Sequence, residues 1–381
     1  MKRKTVRWEA IAGCGVLAAA ASCANGNGGR VEPTPNADLV AETVASGFDT
    51  VWEIVWGPDD HLWITERRGR ISRVDPETGQ VTRVAELQVS ESGEGGLMGF
   101  ALHPDFPTQP FAYAAHTYQS SGGTRNRLVR MAWNGTSLAA PEELLGGIPG
   151  ASIHDGARVV FGPDRLLYLT TGDAAQADLA QNAASLAGKV LRLTPDGAPA
   201  PGNPLGGAIY TLGHRNPQGL AFAPDGTLYS TEHGPGDNDE VNRIEAGRNY
   251  GWPTVRGRCD GDAGATEIPF CQANNVAEPL ATWTPTIAPA GLAYYDASLI
   301  PEWRGSLLFV TLKGQSLVRL MLSSDGRSVI REERLFEGDF GRLRAVLAAP
   351  DGSVYLGTSN RDGRGSPSSS DDRIIRIRPR G

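Results

Sequence analysis

Apolar and polar residues follow one another along the chain in a recurring unit. An apolar strand runs into a Pro-Asp turn and a second apolar strand follows, as in "RVVFGPDRLLYLTTGD". Short apolar runs bounded by such turns are typical of β-strands. Copies of the unit begin at Glu53, Met98, Arg158, Gly219, Gly291 and Ala345. A further strand pair lies between copies, so each unit is predicted to supply about four strands.

Six units at a spacing of roughly 45 to 70 residues predict an all-β fold, a six-bladed β-propeller with four-stranded antiparallel blades. A β-sandwich would not repeat one turn signature in this way. The C-terminal "DDRIIRIRP" is predicted to close the ring by completing a blade with an early strand. Polar residues recur at equivalent ends of the blades, in "TER", "TGD", "EHG" and "TSN". The propeller geometry therefore predicts that these residues line one cavity.

The first residues carry the pattern of an export signal. A basic start precedes an Ala-rich apolar stretch that is too short to span a bilayer. This pattern predicts a signal peptide over residues 1–23, and "AAS" before Cys23 resembles the lipobox of bacterial lipoproteins. Residues 24–38 are predicted to be a flexible tether and residues 39–381 the propeller. We expect export to the periplasm or cell surface, either with a lipid anchor at Cys23 or by simple secretion.

Composition narrows the class of partner. The 381 residues include 48 Gly and 26 Pro, which suits many strands joined by tight turns. The net charge is −7 and the arginines are scattered, so a nucleic-acid partner is not expected. Membrane contact is expected only through the N-terminal anchor. Cys259 and Cys271 are predicted to form a local disulfide, because a metal site would need further His or Cys nearby.

One His and one Asp stand at matching ends of a predicted hairpin. His154 comes immediately before the first strand of the third unit, and Asp173 ends the next strand. A carboxylate that orients a His is the usual arrangement for a general base, although surface His–Asp neighbours are also common. Gly-x-Ser-x-Gly, His-Glu-x-x-His and a Rossmann Gly-x-Gly-x-x-Gly are missing from the sequence. Serine hydrolase, zinc enzyme and nicotinamide-dependent functions are therefore disfavoured.

Four basic residues are expected near the same end of the propeller, Arg215, Lys313, Arg342 and Arg344. Together they favour a ligand with several carboxylates or phosphates. The alternative is that each pairs with one of the many loop aspartates.

The loop "EHGPGDNDEVN" combines a turn with several carboxylates. Gly234 and Pro235 form the turn, whose carbonyls could point outward, and Asp237, Asp239 and Glu240 add oxygen ligands. Ca²⁺ accepts carboxylates and backbone carbonyls together. A solvated acidic turn is the alternative.

The motifs together resemble a known family. "GEGGLMGFALHPDF", "HDGARVVF", "GHRNPQGLAF", "TEHGPGDNDEVN", "GRNYGWP", "LKGQSLVRL" and "GRLRAVLAAPDGSVYLGTSN" occur in this order. From about Val40 to the C-terminus the chain resembles the soluble quinoprotein aldose sugar dehydrogenases of the glucose/sorbosone dehydrogenase family. The resemblance implies a propeller that binds pyrroloquinoline quinone (PQQ) and Ca²⁺. It also implies oxidation of the C1 hydroxyl of an aldose to the lactone, with an external electron acceptor.

The resemblance also implies a role for each matching residue. His154 matches the general base and Asp173 its carboxylate partner. The cofactor-binding positions are Glu94, Arg215, Asn216, Lys313, Arg342 and Arg344. The carbonyls of Gly234 and Pro235 match the ligands of the cofactor's calcium. Glu240 and the backbone oxygen of Tyr250 match a second, structural calcium site.

Three positions depart from the family pattern. Glu94 stands where several relatives have Gln, which leaves its role open. Asp155 and Ala157 replace residues of the commoner "HxGGR" and are expected to reshape the sugar pocket. The chain is shorter than the glucose-specific branch, which favours broad aldose specificity.

Two rival functions remain open, a Ca²⁺-dependent propeller lactonase or esterase, and a non-catalytic propeller that binds sugars or a partner. A lactonase would have no use for the four cations together.

Overall fold

The computed structural model describes residues 38–380. The signal peptide, the anchor at Cys23 and nearly all of the tether lie outside the described residues, so these stay predictions. Among the residues that are described, no helix has the length and apolar character needed to cross a membrane.

Within residues 38–380, twenty-four strands form six separate four-stranded antiparallel sheets, which confirms the predicted propeller. In chain order the strands are β1 (Leu39–Ser46), β2 (Val51–Trp56), β3 (Leu62–Glu66), β4 (Arg70–Val74), β5 (Val81–Glu86), β6 (Leu97–Leu102), β7 (Phe111–Ser120), β8 (Gly123–Ala132), β9 (Glu142–Pro149), β10 (Gly156–Phe161), β11 (Leu167–Thr171), β12 (Lys189–Leu193), β13 (Ile209–Leu212), β14 (Pro217–Phe222), β15 (Leu228–Glu232), β16 (Asp239–Ile244), β17 (Ala281–Trp283), β18 (Pro289–Tyr295), β19 (Ser306–Thr311), β20 (Leu317–Leu322), β21 (Val329–Leu335), β22 (Leu343–Ala348), β23 (Val354–Thr358) and β24 (Arg373–Pro379). The helices in the described part of the chain are α1 (Glu267–Asn274) and two 3₁₀ turns, Ala177–Ala180 and Pro301–Trp303.

Each blade takes four strands in sequence, except the last. Blades 1 to 5 contain β2–β5, β6–β9, β10–β13, β14–β17 and β18–β21, and blade 6 contains β22–β24 together with β1. In blade 6, Leu39 pairs with Pro379 and Ser46 with Arg373. The two ends of the described chain are therefore joined by strand pairing, and the predicted closing role of "DDRIIRIRP" is confirmed.

In every blade except the second, the second strand is buried along its whole length, whereas β7 of blade 2 ends in exposed residues. Every residue of β3 and of β11 is buried, because the blades stack face to face and cover both surfaces of each sheet. Trp63 of blade 1 stacks on Phe100 of blade 2, with ring centroids 6.1 Å apart. This packing explains the near-continuous apolar runs in the sequence.

Antiparallel pairing brings the start of each blade's first strand and the end of its second to one face. Gly156 pairs with Thr171 in blade 3, and Pro217 pairs with Glu232 in blade 4. We call this face the channel mouth. In all six blades the register between the first two strands shifts at this end. Such bulges re-aim side chains, so they place the polar residues of the mouth.

The predicted disulfide is present. Cys259 and Cys271 are bonded, with their Cα atoms 6.3 Å apart. Both cysteines lie between β16 and β17, Cys271 in α1 and Cys259 in the loop before it. Cys259 is two residues after Gly257, whose N–H donates to Glu240 Oε1 at 3.0 Å. The cross-link therefore lies next to the mouth rather than in the core.

Candidate active site

His154 and Asp173 form a hydrogen-bonded pair at the mouth. Nδ1 of His154 lies 2.8 Å from Oδ1 of Asp173. Since an ionised carboxylate only accepts, Nδ1 carries the hydrogen and Nε2 keeps its lone pair in the neutral ring. The other carboxylate oxygen accepts a hydrogen bond from Nε1 of Trp252 at 2.8 Å. Sequence reasoning missed Trp252, whose only signal was its place in the "GRNYGWP" motif.

The backbone around His154 is unusually compact. His154, Gly156 and Ala157 have φ angles of 63°, 64° and 77°. A Cβ at Gly172 would lie 1.9 Å from the carbonyl oxygen of His154, so only glycine fits at the end of the neighbouring strand. Positive φ at residues other than glycine is strained and is concentrated at functional sites. The turn that carries His154 is therefore held by its surroundings.

Glu94 is an ionised carboxylate in this site. It accepts hydrogen bonds from the backbone N–H of His154 at 3.2 Å and from Nδ2 of Asn216 at 3.3 Å. It also forms an ion pair with Arg364 at 3.1 Å. Arg364 was not predicted from the sequence. Burial opposes ionisation, but nearby His233, the N–H of His154 and the charges of Arg344 and Arg364 outweigh it and hold the pKa of Glu94 below its ordinary value. In this structure Glu94 therefore links His154 to Asn216.

The two arginines of blade 6 have different partners. Arg342 forms an ion pair with Asp362 at 2.8 Å, as the alternative interpretation of the cations expected. Arg344 donates only to neutral oxygens, those of Gln218 at 3.1 Å and Ser359 at 3.3 Å. Burial lowers the pKa of Arg344 to about 10. Within the described chain, Arg344 has no carboxylate in direct contact.

The other two cations also lack a direct carboxylate partner among residues 38–380. Arg215 donates to the carbonyl oxygen of His233 at 3.1 Å, and its guanidinium carbon lies 5.2 Å from the centre of the Trp252 ring. Its Nε is buried and has no hydrogen-bond acceptor in the described structure. Lys313 is exposed and donates to the hydroxyl of Thr286 at 2.8 Å. Three of the four cations are therefore left with charge that an anionic ligand would neutralise.

Glu232 organises the segment beneath these cations and was missed by sequence reasoning. One carboxylate oxygen accepts the backbone N–H groups of Arg215 and Asn216, and the other accepts from Nδ1 of His214 at 2.9 Å. Asn216 is fully buried, and its side-chain oxygen accepts the N–H of Gly156 at 3.1 Å. The structure thus places Asn216 below the mouth, where it joins blades 3 and 4.

Both carboxylate oxygens of Asp239 accept hydrogen bonds from the backbone. Its Oδ1 accepts the backbone N–H of Gly234 at 2.8 Å, and its Oδ2 accepts those of Ile287 and Ala288 at 2.6 and 2.7 Å. These bonds fix the Gly234 turn against blade 5, and they leave this carboxylate little capacity for a metal.

A small cavity of about 20 Å³ lies beside that turn. Its lining includes Gly234, Pro235, Glu232, Glu240 and Tyr250. Burial and the nearby charge of Glu232 raise the pKa of Glu240 to about 8, so at neutral pH this carboxyl keeps its proton unless positive charge lies beside it. The described residues contain no cluster of three or more His, Cys, Asp or Glu side chains that would hold a metal. Backbone carbonyls with a carboxylate nevertheless fit a hard cation, which needs only oxygen ligands.

Comparison with known proteins identifies the family of the chain. Residues 48–375 match the model of the family described as Glucose / Sorbosone dehydrogenase. Quinoprotein glucose dehydrogenase B from Acinetobacter calcoaceticus is 32% identical over 82% of this chain and 84% of its own length. Aldose sugar dehydrogenase YliI from Escherichia coli is 28% identical over 86% of this chain and 92% of its own.

A solved structure is similar over nearly the whole chain. The PQQ-bound aldose sugar dehydrogenase from Streptomyces coelicolor has a TM-score of 0.78 and 39% identity, covering 91% of this chain and 100% of that one. The propeller, the arrangement of the mouth and these matches lead to one conclusion: the chain belongs to the glucose/sorbosone dehydrogenase family.

Proposed function

We propose that the protein is a PQQ-dependent dehydrogenase that oxidises the C1 hydroxyl of an aldose to the lactone and passes the electrons to an external acceptor. The observation that carries the proposal is the His154–Asp173 pair at a mouth where three cations have no direct carboxylate partner within residues 38–380. A base beside an unneutralised positive site is what a hydride transfer to an anionic cofactor needs.

The unpaired cations are the residues that would hold the cofactor. Arg215, Lys313 and Arg344 would bind the three carboxylates of PQQ, with Arg342 fixed beside them by Asp362. When bound with Ca²⁺, PQQ supplies a two-electron oxidant that accepts hydride from the sugar. Arg215 would then exchange its weak contacts for charge-assisted hydrogen bonds.

His154 is proposed to take the proton of the C1 hydroxyl on Nε2. The negative charge of Asp173 stabilises the imidazolium that forms, and Trp252 holds the carboxylate in place from its other side. The C1 hydroxyl gives its proton to His154, and C1 gives a hydride to the quinone. C1 is thereby oxidised by two electrons, and the product is the lactone.

Calcium is proposed at two positions. The carbonyls of Gly234 and Pro235 would hold the cofactor's calcium, on the turn that Asp239 fixes. Glu240 and the backbone oxygen of Tyr250 would hold a structural calcium in the small cavity. The hydroxyl of Tyr250 is already engaged, donating to the Arg243 carbonyl at 2.7 Å, which supports a backbone role for this residue.

Export is proposed as well. The Cys259–Cys271 disulfide supports it, because disulfides persist in oxidising compartments. The lipid anchor at Cys23 stays a prediction for residues outside the described range.

The test is reconstitution of the purified protein. PQQ and Ca²⁺ are added separately and together, and dye reduction is followed with a panel of aldoses. We expect saturable activity that needs both additions and that falls about 10²- to 10⁴-fold in His154→Ala, the usual contribution of a general base. His103→Ala, a His beyond the far end of β6, is the matched control and is expected to keep activity.

Failure would be specific. Absence of quinone binding in an absorbance titration would overturn the proposal, and a panel of lactones would then test the Ca²⁺-dependent lactonase. Quinone binding without turnover of any aldose would contradict the substrate class and leave a binding protein.

A further inference from the structure

Two buried polar atoms near His154 have no hydrogen-bond partner among the described residues. They are Oδ2 of Asp155 and Oδ1 of Asn126. Both side chains are buried, with 2% and 4% of their surface exposed. An unsatisfied buried acceptor costs about 1–3 kcal/mol, more if it is charged, so two in adjacent groups call for an explanation.

The two side chains are already joined through their other ends. Nδ2 of Asn126 donates to Oδ1 of Asp155 at 2.8 Å. The two orphan atoms are therefore the second oxygens of one carboxyl and one amide that are hydrogen-bonded to each other. Two acceptors cannot satisfy one another, but a hydrogen on one of them would satisfy both. The carboxyl is the group of the two that gains a hydrogen by protonation.

We propose that Asp155 is a neutral carboxylic acid whose Oδ2–H donates to Oδ1 of Asn126, so that acid and amide form a two-bond ring that positions the turn carrying His154. The positioning role rests on the proposed function, whereas the protonation of Asp155 does not.

The neighbouring contacts show why the pair matters to His154. Oδ1 of Asp155 also accepts the N–H of Ala151 at 3.1 Å, and Nδ2 of Asn126 also donates to the carbonyl of Pro149 at 3.3 Å. The pair therefore clamps residues 149–155 to β8 of the neighbouring blade. His154 is the next residue back from Asp155 and has a left-handed backbone, so loss of one bond in the clamp would displace it.

Electrostatics favours the neutral form. Burial raises the pKa of Asp155 to about 7 despite the donors of Asn126 and Ala151. The charged groups that face it are Glu94, which raises its pKa, and His154, which lowers it when protonated. Asp155 would thus change charge near neutral pH, and ionisation would break the bond to Asn126 Oδ1.

Infrared spectroscopy of the full chain without cofactor tests the protonation directly. The infrared difference spectrum of wild type minus Asp155→Asn is expected to show the carbonyl band of a protonated carboxyl at pH 6. This band should disappear as the pH rises past about 7. Asp225→Asn, an exposed carboxyl, is the matched control and should show no such difference. Absence of the band would overturn the proposal and leave an ionised Asp155 satisfied by water.

Thermal unfolding supplies a second readout. The Asp155→Asn variant keeps both bonds of the ring without titrating. Because the folded pKa is raised, the Asp155 contribution to stability is present below the unfolded pKa and is lost as the pH rises to about 7. The Tm of Asp155→Asn minus that of wild type should therefore widen from about pH 4 to about pH 7 and then stay constant. A difference that does not change with pH would contradict the proposal.

The positioning role is read from the reconstituted enzyme. In wild type kcat/KM is expected to fall about tenfold for each pH unit above about 7, and Asp155→Asn should lack this decline. A decline that persists unchanged in Asp155→Asn would overturn the positioning role. An infrared band in a protein that neither binds quinone nor oxidises sugars would overturn the proposed function and leave the acid–amide pair standing.

Discussion

At the scale of single residues, one position in the turn that carries His154 departs from the family pattern and has a strained backbone. Ala157 stands where the commoner motif has Gly, yet its φ is 77°. A Cβ in this conformation crowds the following carbonyl, which costs roughly 1–2 kcal/mol. The chain therefore holds Ala157 in a strained conformation one residue from the start of the strand.

Ala157→Gly is expected to stabilise the protein, by up to about 1 kcal/mol once the extra freedom of glycine in the unfolded chain is subtracted. The measurement is the free energy of unfolding in urea. Ala221→Gly, at a buried position of β14 outside the positive-φ region, is the control and should destabilise by roughly 0.5–1 kcal/mol. Equal destabilisation by both changes would show that Ala157 carries no strain.

Single residues also show where sequence reasoning reached its limit. His154 and Asp173 were found because they lie at matching ends of one hairpin, only 19 residues apart. Trp252 contacts Asp173 across 79 residues, and Arg364 contacts Glu94 across 270. No local pattern in one sequence records such pairs, because the ring of blades brings them together.

At the scale of elements, the loop between β11 and β12 depends on one buried lysine. Nζ of Lys189 donates to the carbonyls of Leu179, Ala180 and Ala187 at 2.9, 2.9 and 2.6 Å, which uses all three of its hydrogens. From this loop, Gln181 donates to the carbonyl of Trp252 at 2.7 Å. The lysine therefore supports the loop that steadies the partner of Asp173.

The stability supplied by Lys189 is expected to depend on pH. Burial lowers its pKa from 10.5 to about 8, so its contribution is present above pH 10.5 and is lost as the pH falls through about 8. The free energy of unfolding of wild type minus that of Lys189→Met should rise by about 1.4 kcal/mol per pH unit between these values. Urea titrations across this range measure it. Lys313→Met, which changes an exposed lysine, is the control. The prediction is refuted if the difference between wild type and Lys189→Met rises no more steeply with pH than the difference between wild type and Lys313→Met.

At the scale of the whole molecule, the ring is closed by β1 and β24. Ile374, Ile375 and Ile377 of β24 are almost completely buried, and the strand pairs with β23 on one side and β1 on the other. Without this closure, the backbone N–H and C=O groups of the strand edges would be unpaired and could pair with other chains.

Deletion of residues 373–381 is expected to abolish cooperative unfolding. Loss of each buried isoleucine costs about 2–5 kcal/mol, and the sum approaches or exceeds the 5–15 kcal/mol that stabilises most domains. Calorimetry measures the loss, and a chain ending at Arg380 should unfold as the full chain does. A cooperative transition in the deletion variant would show that five complete blades suffice.

The sequence by itself determined the six-bladed propeller, its closure and the disulfide, because turn chemistry, strand periodicity and cysteine spacing are local properties. It also predicted the hairpin that carries His154 and Asp173. Only the tertiary structure decided which of the four basic side chains pair with a carboxylate and which hydrogen bonds Glu94 accepts. It alone brought Asp155 against Asn126. These outcomes depend on burial and on contacts between blades, and both exist only once the ring is closed.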